Sequence, residues 1–501
     1  MLKGQFISSI FLELDCCGAD LEEDRTLDPE DQLCFNIPTT NEPCHSFTRS
    51  DWICSESAVR EQINMLTAFV DGSQIYGSDN DTSRRLRLFQ SGLLKTNDDS
   101  SFSVENLPTR RQCGFSTRPD WLFTGDVRSS TQPTLTAIHT LFLNEHNRIA
   151  KGLKEQLIQF DSFQSLSSRE QDELLFQEAR KIVGAELQKI VYKDYLPIIL
   201  GETAMNENGL NVGEQTEYDA DVDSSIFNEF ATVGYRFGHS LVAEVFVGRF
   251  PWPLNRHFFD SSSVPDVFVT GENGKNWMRE MTGSSGQACP KQDLIAADAM
   301  RNHFDVGDED IIARNIQRGR DHGIPSYSKL REICGLASIK GSDRPEEINE
   351  STWNKIVTTY NGNIDDIDPY TGGLAEMAPN DALVGPLFAC IIGRQFKSLM
   401  VGDRFFYLHH ADSDQKAVGL KANTKRMVMG RSLADIICDN TDTDKIHANV
   451  FRVKSESNRE VSCETIENIN FKDVAEEIIE KDDEPPPCVC SDSAGKHRKT
   501  V

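Results

Sequence analysis

The chain has 501 residues, of which 38% are hydrophobic and 26% are charged, a composition typical of a folded globular protein. Its 79 acidic and 52 basic residues give a formal net charge of −27, which argues against nucleic acid or an anionic membrane as the main partner. No uninterrupted apolar run approaches the roughly 20 residues that a membrane-spanning helix needs, so we expect no transmembrane segment.

The N-terminal region carries a cluster of cysteines. Five of the 13 cysteines lie between residues 16 and 54, at Cys16, Cys17, Cys34, Cys44 and Cys54. With Pro38 and Pro43 close to them, they predict a loop segment held by disulfide bonds. Because no cysteines have the spacing of a zinc site, this content favours an oxidising compartment, and we expect the protein to be secreted. Residues 6–14 are apolar but contain Glu13 and lack a small-residue cleavage site, so no signal peptide is evident.

The rest of the chain is predicted to be mainly helical. Apolar residues recur at helical spacing in the segments 134–154, 176–192, 226–245, 383–399 and 424–438. Connectors rich in glycine and aspartate occur at 201–223, 271–286 and 361–373. Strand-like alternation is scarce, and neither an internal repeat nor a Ser/Gly linker divides the chain. We therefore predict one domain over residues 1–480 and a disordered tail over 481–501.

The segment Tyr235–Leu241, within the third predicted helix, carries the first candidate for chemistry. His239 follows a glycine, and Arg236 precedes the histidine by three residues. A neutral imidazole can give one ring nitrogen to a haem iron while it donates its other N–H to an acceptor. A plain histidine of the core fits the same heptapeptide, so the segment alone leaves both interpretations open.

Further motifs follow one another in an order that resembles the animal haem peroxidases. They are Arg60–Asn64, Phe69–Ser78, Gly125–Ser130, Asn144–Arg148, Gln177–Ala185, Asp194–Pro197 and Arg318–Pro325. The resemblance runs from about Gly4 to Phe471, and Cys16–Ala19 and Phe47–Ser50 are similar to the peroxinectin and peroxidasin branch. It implies a mainly α-helical single domain, with very little β structure, around a buried haem b.

The resemblance assigns residues on one side of the haem. It implies that His239 is the proximal iron ligand and that Arg236 pairs with a haem propionate, because a forked guanidinium suits a carboxylate. The family has an asparagine against the other nitrogen of this histidine. A gap-free reading back from Gly372 puts Asp366 at that position, while Asn363 begins the family's usual triplet three residues earlier. Either side chain could accept the N–H of the imidazole.

On the opposite side, the resemblance implies that Arg128 and Gln5 are catalytic. A cation at residue 128 stabilises the negative charge that develops as the O–O bond of hydrogen peroxide breaks; taken alone, the arginine also fits a structural salt bridge. The resemblance also implies a calcium ion, bound by residues at alternate positions of one loop. The same alternation is also compatible with a half-buried strand that binds no metal. The implied calcium ligands are Thr67, Phe69, Asp71 and Ser73.

Residues 1–15 depart from the family. Ser9 occupies the position of the distal histidine that transfers the peroxide proton, and Ile10 that of a calcium-binding aspartate. Ser8 and Thr131 occupy the positions of the two acids that form ester bonds to the haem. A serine cannot accept a proton near neutral pH, and such general acid–base groups contribute roughly 10²–10⁴ in rate. We therefore expect slow turnover, haem held without ester bonds and weakened calcium binding.

Two explanations of this departure are open. The chain is either a degenerate peroxidase or one in which residues from about 7 to 15 are not the native segment. The match is clean from Cys16 onward and stops abruptly before it, which favours the second explanation.

The cysteines follow the family more faithfully. The resemblance implies the disulfide bonds Cys34–Cys44, Cys334–Cys390 and Cys438–Cys463. Four further cysteines are expected to form disulfide bonds with one another: Cys16, Cys17, Cys54 and Cys113. No partner is assigned to the remaining cysteines, Cys289, Cys488 and Cys490, and the odd total leaves at least one thiol free or intermolecular.

The leading hypothesis is a secreted, haem-dependent peroxidase that reduces hydrogen peroxide and oxidises halides or small organic donors. The alternative is a catalytically weak or inactive extracellular protein with an adhesive role toward a matrix or cell-surface partner. The chain contains no Arg-Gly-Asp motif, which weakens the adhesive alternative. Asn80 and Asn349 each begin an N-glycosylation triplet, which gives weak support to secretion.

Overall fold

The computed structural model describes residues 35, 37, 47–54, 60–96, 107, 108, 113, 122–131, 133–213, 215–247, 251–253, 287–304, 309–340, 343–410, 418–466 and 469–479. The predicted mainly helical architecture is confirmed, because helices dominate these ranges and the sheets within them are three antiparallel pairs of short strands. The predictions for the divergent start and for the tail over 481–501 fall outside the described residues.

The elements follow in chain order. Within the described ranges, the first eight α-helices are α1 (Ser73–Tyr76), α2 (Asn80–Leu86), α3 (Pro133–Leu157), α4 (Asp161–Ser165), α5 (Ser168–Lys189), α6 (Leu196–Glu207), α7 (Asn228–Thr232) and α8 (Asp298–Asn302). The remaining helices are α9 (Ile311–Asp321), α10 (Tyr327–Ile333), α11 (Glu350–Thr359), α12 (Pro369–Ala375), α13 (Pro386–Gly402), α14 (Ala422–Gly430), α15 (Leu433–Asn440) and α16 (Phe471–Ile479). The paired strands are β1 (Trp52–Cys54) with β2 (Arg60–Gln62), β3 (Val245–Val247) with β4 (Pro251–Pro253), and β5 (Lys445–His447) with β6 (Glu460–Ser462). Three-ten helices span Val127–Ser130, Gly234–Leu241, Ile364–Asp366 and Cys463–Thr465, and a π-helical turn spans Ile190–Tyr195.

The helices α3 and α5 form the centre of the core. Leu141, Ile149 and Leu153 recur at helical spacing on α3 and are fully buried. Burying each such side chain stabilises the fold by about 1.5–3 kcal/mol. Around this pair, α15 and α16 pack on α3, and α14 packs on α5. On the other side of the domain, α13 packs on α6 and on the three-ten helix Gly234–Leu241.

Three of the five predicted helices are confirmed with shifted ends. Segment 134–154 lies within α3, segment 176–192 lies within α5 and its π-helical continuation, and segment 383–399 largely coincides with α13. The fourth, 424–438, is divided into α14 and α15. The division lies at Ser432, whose side chain accepts from the backbone N–H of Asp435 and starts a new helix with a capping box.

The prediction of one helix over residues 226–245 is wrong. The short helix α7 ends at Thr232, a three-ten helix follows over Gly234–Leu241, and the chain then enters β3. Close packing explains the change of backbone at this point. A Cβ at Gly234 would lie 2.8 Å from the side chain of Ile391, so this turn contacts α13 more closely than any other residue type allows.

Two of the disulfide bonds implied by the resemblance are confirmed. Cys334 joins Cys390 with a Cα–Cα distance of 6.0 Å, and Cys438 joins Cys463 at 5.4 Å. The Cys34–Cys44 pair lies outside the described residues and stays a prediction. Cys289, to which no partner was assigned, is exposed and free.

His146 is a fully buried, neutral histidine on α3. Its Nε2 lies 2.8 Å from the carbonyl oxygen of Gly92, which can only accept, so this nitrogen carries the proton. Its Nδ1, 3.0 Å away, accepts from the hydroxyl of Tyr76. Burial, with a smaller contribution from the charges of Arg87 and Arg180, lowers the pKa of His146 to about 4. The ring thus links α1 and α3 to the turn that follows α2.

We expect this histidine to make the protein acid-sensitive. The folded pKa is depressed, so between pH 6.5 and 4 the unfolded chain binds the proton more readily and the free energy of unfolding falls as the pH falls. The contribution of His146 amounts to about 2 kcal/mol between pH 7 and pH 5. Urea unfolding at both pH values measures it. His146→Gln should show a correspondingly smaller loss than wild type, and exposed His410→Gln should behave as wild type; equal pH dependence in all three proteins would refute the assignment.

Candidate functional site

The three-ten helix Gly234–Leu241 carries both residues expected on the proximal side of a haem. Arg236 and His239 are three positions apart, so in this geometry their side chains leave the same face. Between them, Gly238 borders open space, because a Cβ there would meet no atom within 4 Å. The segment therefore presents an imidazole and a guanidinium beside free volume.

His239 is a neutral imidazole with one engaged nitrogen. Its Nδ1 lies 2.7 Å from the side-chain nitrogen of Asn315. Burial, followed by the charge of Arg236, lowers the pKa of His239 to about 4, against a smaller rise from its hydrogen bond to Asn315. Within the described part of the chain, its Nε2 has no hydrogen-bond partner. Nε2 is therefore the ring nitrogen left to bind a metal, which histidine does through a nitrogen that carries no proton.

Arg236 is a half-buried cation without an anionic partner among the described residues. Its Nη1 donates to Oδ1 of Asn315 at 2.9 Å, and its Nε donates to the carbonyl oxygen of Ala231 at 2.9 Å. Burial, then the charges of Arg318 and Arg128, lower the pKa of Arg236 to about 10. A cation in this setting is stabilised by an anionic ligand, and the donor fork suits a carboxylate.

The prediction that Asp366 or Asn363 accepts the N–H of His239 is wrong in this structure. Both residues are exposed in and beside the three-ten turn Ile364–Asp366, where the side chain of Asn363 accepts from the backbone N–H of Asp365 instead. The partner of His239 is Asn315, on α9. This residue lies three positions before the recognised motif Arg318–Pro325, so reading that motif further back is the sequence signal that would have found it.

Charged contacts fix α9 in position. Asp321, at its C-terminal end, is buried and accepts from Arg49 Nε at 2.7 Å, from the backbone N–H of Ser50 at 2.9 Å and from Arg318 Nη1 at 3.0 Å. Hydrogen bonds to a charged group are stronger than neutral ones, so this carboxylate holds the helix firmly against residues 47–50. The motif Arg318–Pro325 therefore serves to position α9, the helix that carries Asn315.

Arg128 lies on the three-ten helix Val127–Ser130, and its side chain is 66% exposed. Asp126 orients it, because Nε of Arg128 donates to Oδ1 at 2.9 Å and Nη2 donates to Oδ2 at 2.5 Å. The charge of Arg128 is one of the causes that lower the pKa of Arg236, so the two guanidiniums lie near each other. Thr131 follows, and its buried hydroxyl has no partner among the described residues. The other residues expected on the distal side, Gln5, Ser8, Ser9 and Ile10, lie outside the described ranges.

His139, on α3, is a nearby residue that sequence reasoning missed. Its Nδ1 lies 2.7 Å from the carbonyl oxygen of Leu135 and therefore carries the proton. Its Nε2 is buried without a partner in the described part of the chain, and it is left as an acceptor. Burial lowers the pKa of His139, and the charges of Asp126 and Arg128 both act on it. An imidazole thus lies close to the ion pair that orients Arg128.

The predicted calcium loop is closed by its own hydrogen bonds. Asp71 Oδ1 accepts from the hydroxyl of Thr67 at 3.0 Å and from the backbone N–H of Ser73 at 2.9 Å. Phe69 is half-buried and packs on the core. Only one of the four predicted ligands is a carboxylate, and no group of three or more His, Cys, Asp or Glu side chains in the described ranges is arranged to hold a metal ion. Asp403 lies close by, and burial, opposed by hydrogen bonds and reinforced by the charge of Asp71, raises its pKa to about 6.

None of the described helices combines the length and the apolar character needed to cross a membrane.

Comparisons with known proteins show which family the chain belongs to. A sequence model of the animal haem peroxidase family matches residues 8–451. The chain is 32% identical to a peroxidasin homologue of Caenorhabditis elegans, covering 89% of this chain and 36% of that protein. It is 35% identical to myeloperoxidase of Homo sapiens, covering 85% of this chain and 58% of that protein. The chain therefore spans between about one-third and three-fifths of the length of these relatives.

Solved structures show the same fold. Peroxidase A from Dictyostelium discoideum aligns with a TM-score of 0.64 and 26% identity, covering 83% of this chain and 78% of that chain. A fatty acid alpha-dioxygenase from Oryza sativa aligns with a TM-score of 0.62 at 18% identity, which shows similarity of fold alone. Because the family match extends over most of the 501 residues, this chain belongs to the animal haem peroxidase family.

Proposed function

We propose that the protein is a haem-dependent peroxidase that reduces hydrogen peroxide and oxidises halides or small organic donors. The observation that carries this proposal is the pair formed by His239, with an unengaged Nε2, and Arg236, a cation without an anionic partner in the described ranges. Membership of the animal haem peroxidase family supports the same chemistry.

The residues present fit a haem b. His239 would hold the iron through Nε2, Arg236 would hold a propionate, and the open space beside Gly238 leaves room for a flat ring. When bound, haem b supplies the iron at which hydrogen peroxide is reduced and through which electrons are drawn from the donor. The protein contributes the axial ligand, the hydrogen bond to that ligand and the anion-binding cation.

Arg128 would act on the peroxide. A fixed guanidinium stabilises negative charge on the oxygen that leaves when the O–O bond breaks, and Asp126 keeps it oriented through two hydrogen bonds. Ser9, in the position of the distal histidine, cannot itself accept the peroxide proton near neutral pH. The expected enzyme therefore binds peroxide with the help of Arg128 and turns over slowly.

The test of this proposal is the rate of peroxide consumption by the haem-loaded protein. Arg128→Leu should lower that rate by roughly 10²–10³, as loss of one charge-stabilising donor does in other enzymes, with haem affinity little changed. Arg85→Leu is the matched control, because Arg85 also pairs with a nearby aspartate, Asp81, at 2.7 Å on a helix surface. Haem loading without any peroxide consumption would instead favour the non-catalytic extracellular role.

The loop of Thr67, Phe69, Asp71 and Ser73 would bind calcium weakly. Calcium favours several charged oxygen ligands, and Asp71 is the one carboxylate among these four residues. Calcium titration of wild type and Asp71→Asn by competition with a fluorescent chelator measures the affinity. We expect measurable binding by wild type and none by Asp71→Asn; equal binding by both proteins would contradict the proposed ligand set.

Secretion is the compartment most compatible with this chemistry. Two disulfide bonds, Cys334–Cys390 and Cys438–Cys463, lie in the described part of the chain, and such bonds persist in oxidising environments. Fractionation of cells that express the full-length gene product checks the proposal, and a protein retained in the cytosol with reduced thiols would refute it.

A further inference from the structure

Asn315 lies fully buried between the two proximal residues. Its Oδ1 accepts from Arg236 Nη1 at 2.9 Å, and its Nδ2 lies 2.7 Å from Nδ1 of His239. One amide therefore touches both the side chain expected to bind a carboxylate and the side chain expected to bind the iron. This makes the two contacts interdependent, because an amide presents its oxygen to only one side at a time.

The guanidinium decides which way the amide points. Arginine has five N–H donors and no acceptor, so the atom of Asn315 that faces Arg236 has to be the oxygen. The amide N–H₂ is then left to face His239, and Nδ1 of the histidine has to accept from it. A neutral imidazole that accepts at Nδ1 carries its proton on Nε2. In this arrangement Nε2 has no lone pair to give to a metal.

Tyr370 is placed to stabilise the opposite orientation of the Asn315 amide. Its side chain is 1% exposed, and its hydroxyl donates to the carbonyl oxygen of Arg236 at 3.3 Å. Burial raises the pKa of Tyr370, and a hydrogen bond from Asn315 opposes part of that rise, so the amide N–H₂ also reaches this hydroxyl. A hydroxyl both donates and accepts. If the Asn315 amide turned over, its Oδ1 could accept from the hydroxyl of Tyr370. The same oxygen could also accept from an N–H at Nδ1 of His239.

We propose that Asn315 is a positioning residue that makes metal binding at His239 conditional on an anion at Arg236. When a carboxylate takes the guanidinium, Arg236 releases the amide oxygen and Asn315 rotates. The histidine then carries its proton at Nδ1, donates it to Oδ1 and leaves the Nε2 lone pair open. This inference rests on the proposed function, in which the carboxylate is a haem propionate and the metal is the haem iron.

The first test uses nitrogen NMR of the haem-free full chain with labelled histidine rings, and His239→Gln identifies the signals. We expect His239 to carry its proton on Nε2 in wild type and in Arg236→Lys, which keeps a donor at that position. In Arg236→Met the proton should move to Nδ1, because the amide is free to turn. A proton already on Nδ1 in wild type, or no change in Arg236→Met, would overturn the proposal.

The second test compares binding of protohaem with binding of its dimethyl ester, which has no free carboxylates, by absorbance titration. Wild type should prefer protohaem, and Asn315→Leu should lower that preference at least tenfold without weakening ester binding, since it removes the amide but keeps Arg236. An unchanged preference in Asn315→Leu would overturn the proposal. Circular dichroism checks that each variant is folded. Failure of wild type to take up either haem would refute the proposed function instead, and the NMR result on the haem-free chain would still decide the role of Asn315.

Discussion

Replacement of His239 by alanine abolishes haem uptake: we expect no Soret band when this variant is mixed with an equal amount of haem. His239 supplies the unengaged ring nitrogen of the three-ten helix Gly234–Leu241 that is expected to coordinate iron, and the variant removes it while Arg236, the cation expected to bind a propionate, stays. An absorbance titration of wild type and variant measures the effect. His410→Ala, which removes an exposed histidine, should bind haem as wild type does.

Added imidazole provides an independent check on this prediction. A small ligand in the space left by the missing ring should restore a Soret band in His239→Ala, because the rest of the pocket is unchanged. Tight haem binding by His239→Ala without imidazole would contradict the assignment and would mean that another residue coordinates the iron.

Introduction of histidine at residue 9 raises the rate of peroxide consumption by roughly 10²–10⁴ in the haem-loaded protein, the usual contribution of a general acid–base group. The resemblance to the family puts Ser9 at the position of the base that removes the peroxide proton. A serine cannot take this proton near neutral pH, whereas a neutral histidine can. Stopped-flow measurement of Ser9→His against wild type, with Ser9→Ala as the control for size, measures the gain.

Two outcomes would contradict this second prediction. A wild-type rate already as high as that of Ser9→His would mean that another base serves the distal side, and His139 is the described residue best suited, with its unpartnered Nε2 near the Asp126–Arg128 ion pair. In that case His139→Gln should lower the rate. An unchanged, slow rate in Ser9→His would mean that residue 9 does not lie over the haem.

Regular helices and long-range pairs of cysteines were predictable from the sequence. The apolar stripe that includes Leu141 and Leu153 continues through several turns, so α3 appears in the periodicity alone. The Cys334–Cys390 and Cys438–Cys463 bonds followed from the resemblance, which extends to about Phe471 and so includes all four cysteines.

The segment 226–245 was harder to predict, because apolar periodicity does not distinguish an α-helix from a short helix followed by a three-ten turn. What decides the backbone here is contact with a distant element, the approach of Gly234 to Ile391 on α13. The 156 residues between these two carry no local signal of that contact.

The partner of His239 could not be read from the sequence for a related reason. Counting back from Gly372 puts Asp366 at the family's position and Asn363 three residues earlier, and both alternatives assume that the connection keeps the family's length and course. In the structure, α9 brings Asn315 to the ring across 76 positions of the chain, while Asp366 points to solvent. Hydrogen bonds between side chains on separate elements depend on packing, and local spacing does not encode packing.

We expect this chain to bind one haem through His239. Absorbance titration of the purified full chain with haem tests it most directly. We expect a Soret band that grows until one equivalent has been added and then stops, with the ferrous form showing an iron–histidine stretching band in resonance Raman spectra. A chain that is folded by circular dichroism but takes up no haem would contradict haem binding through His239.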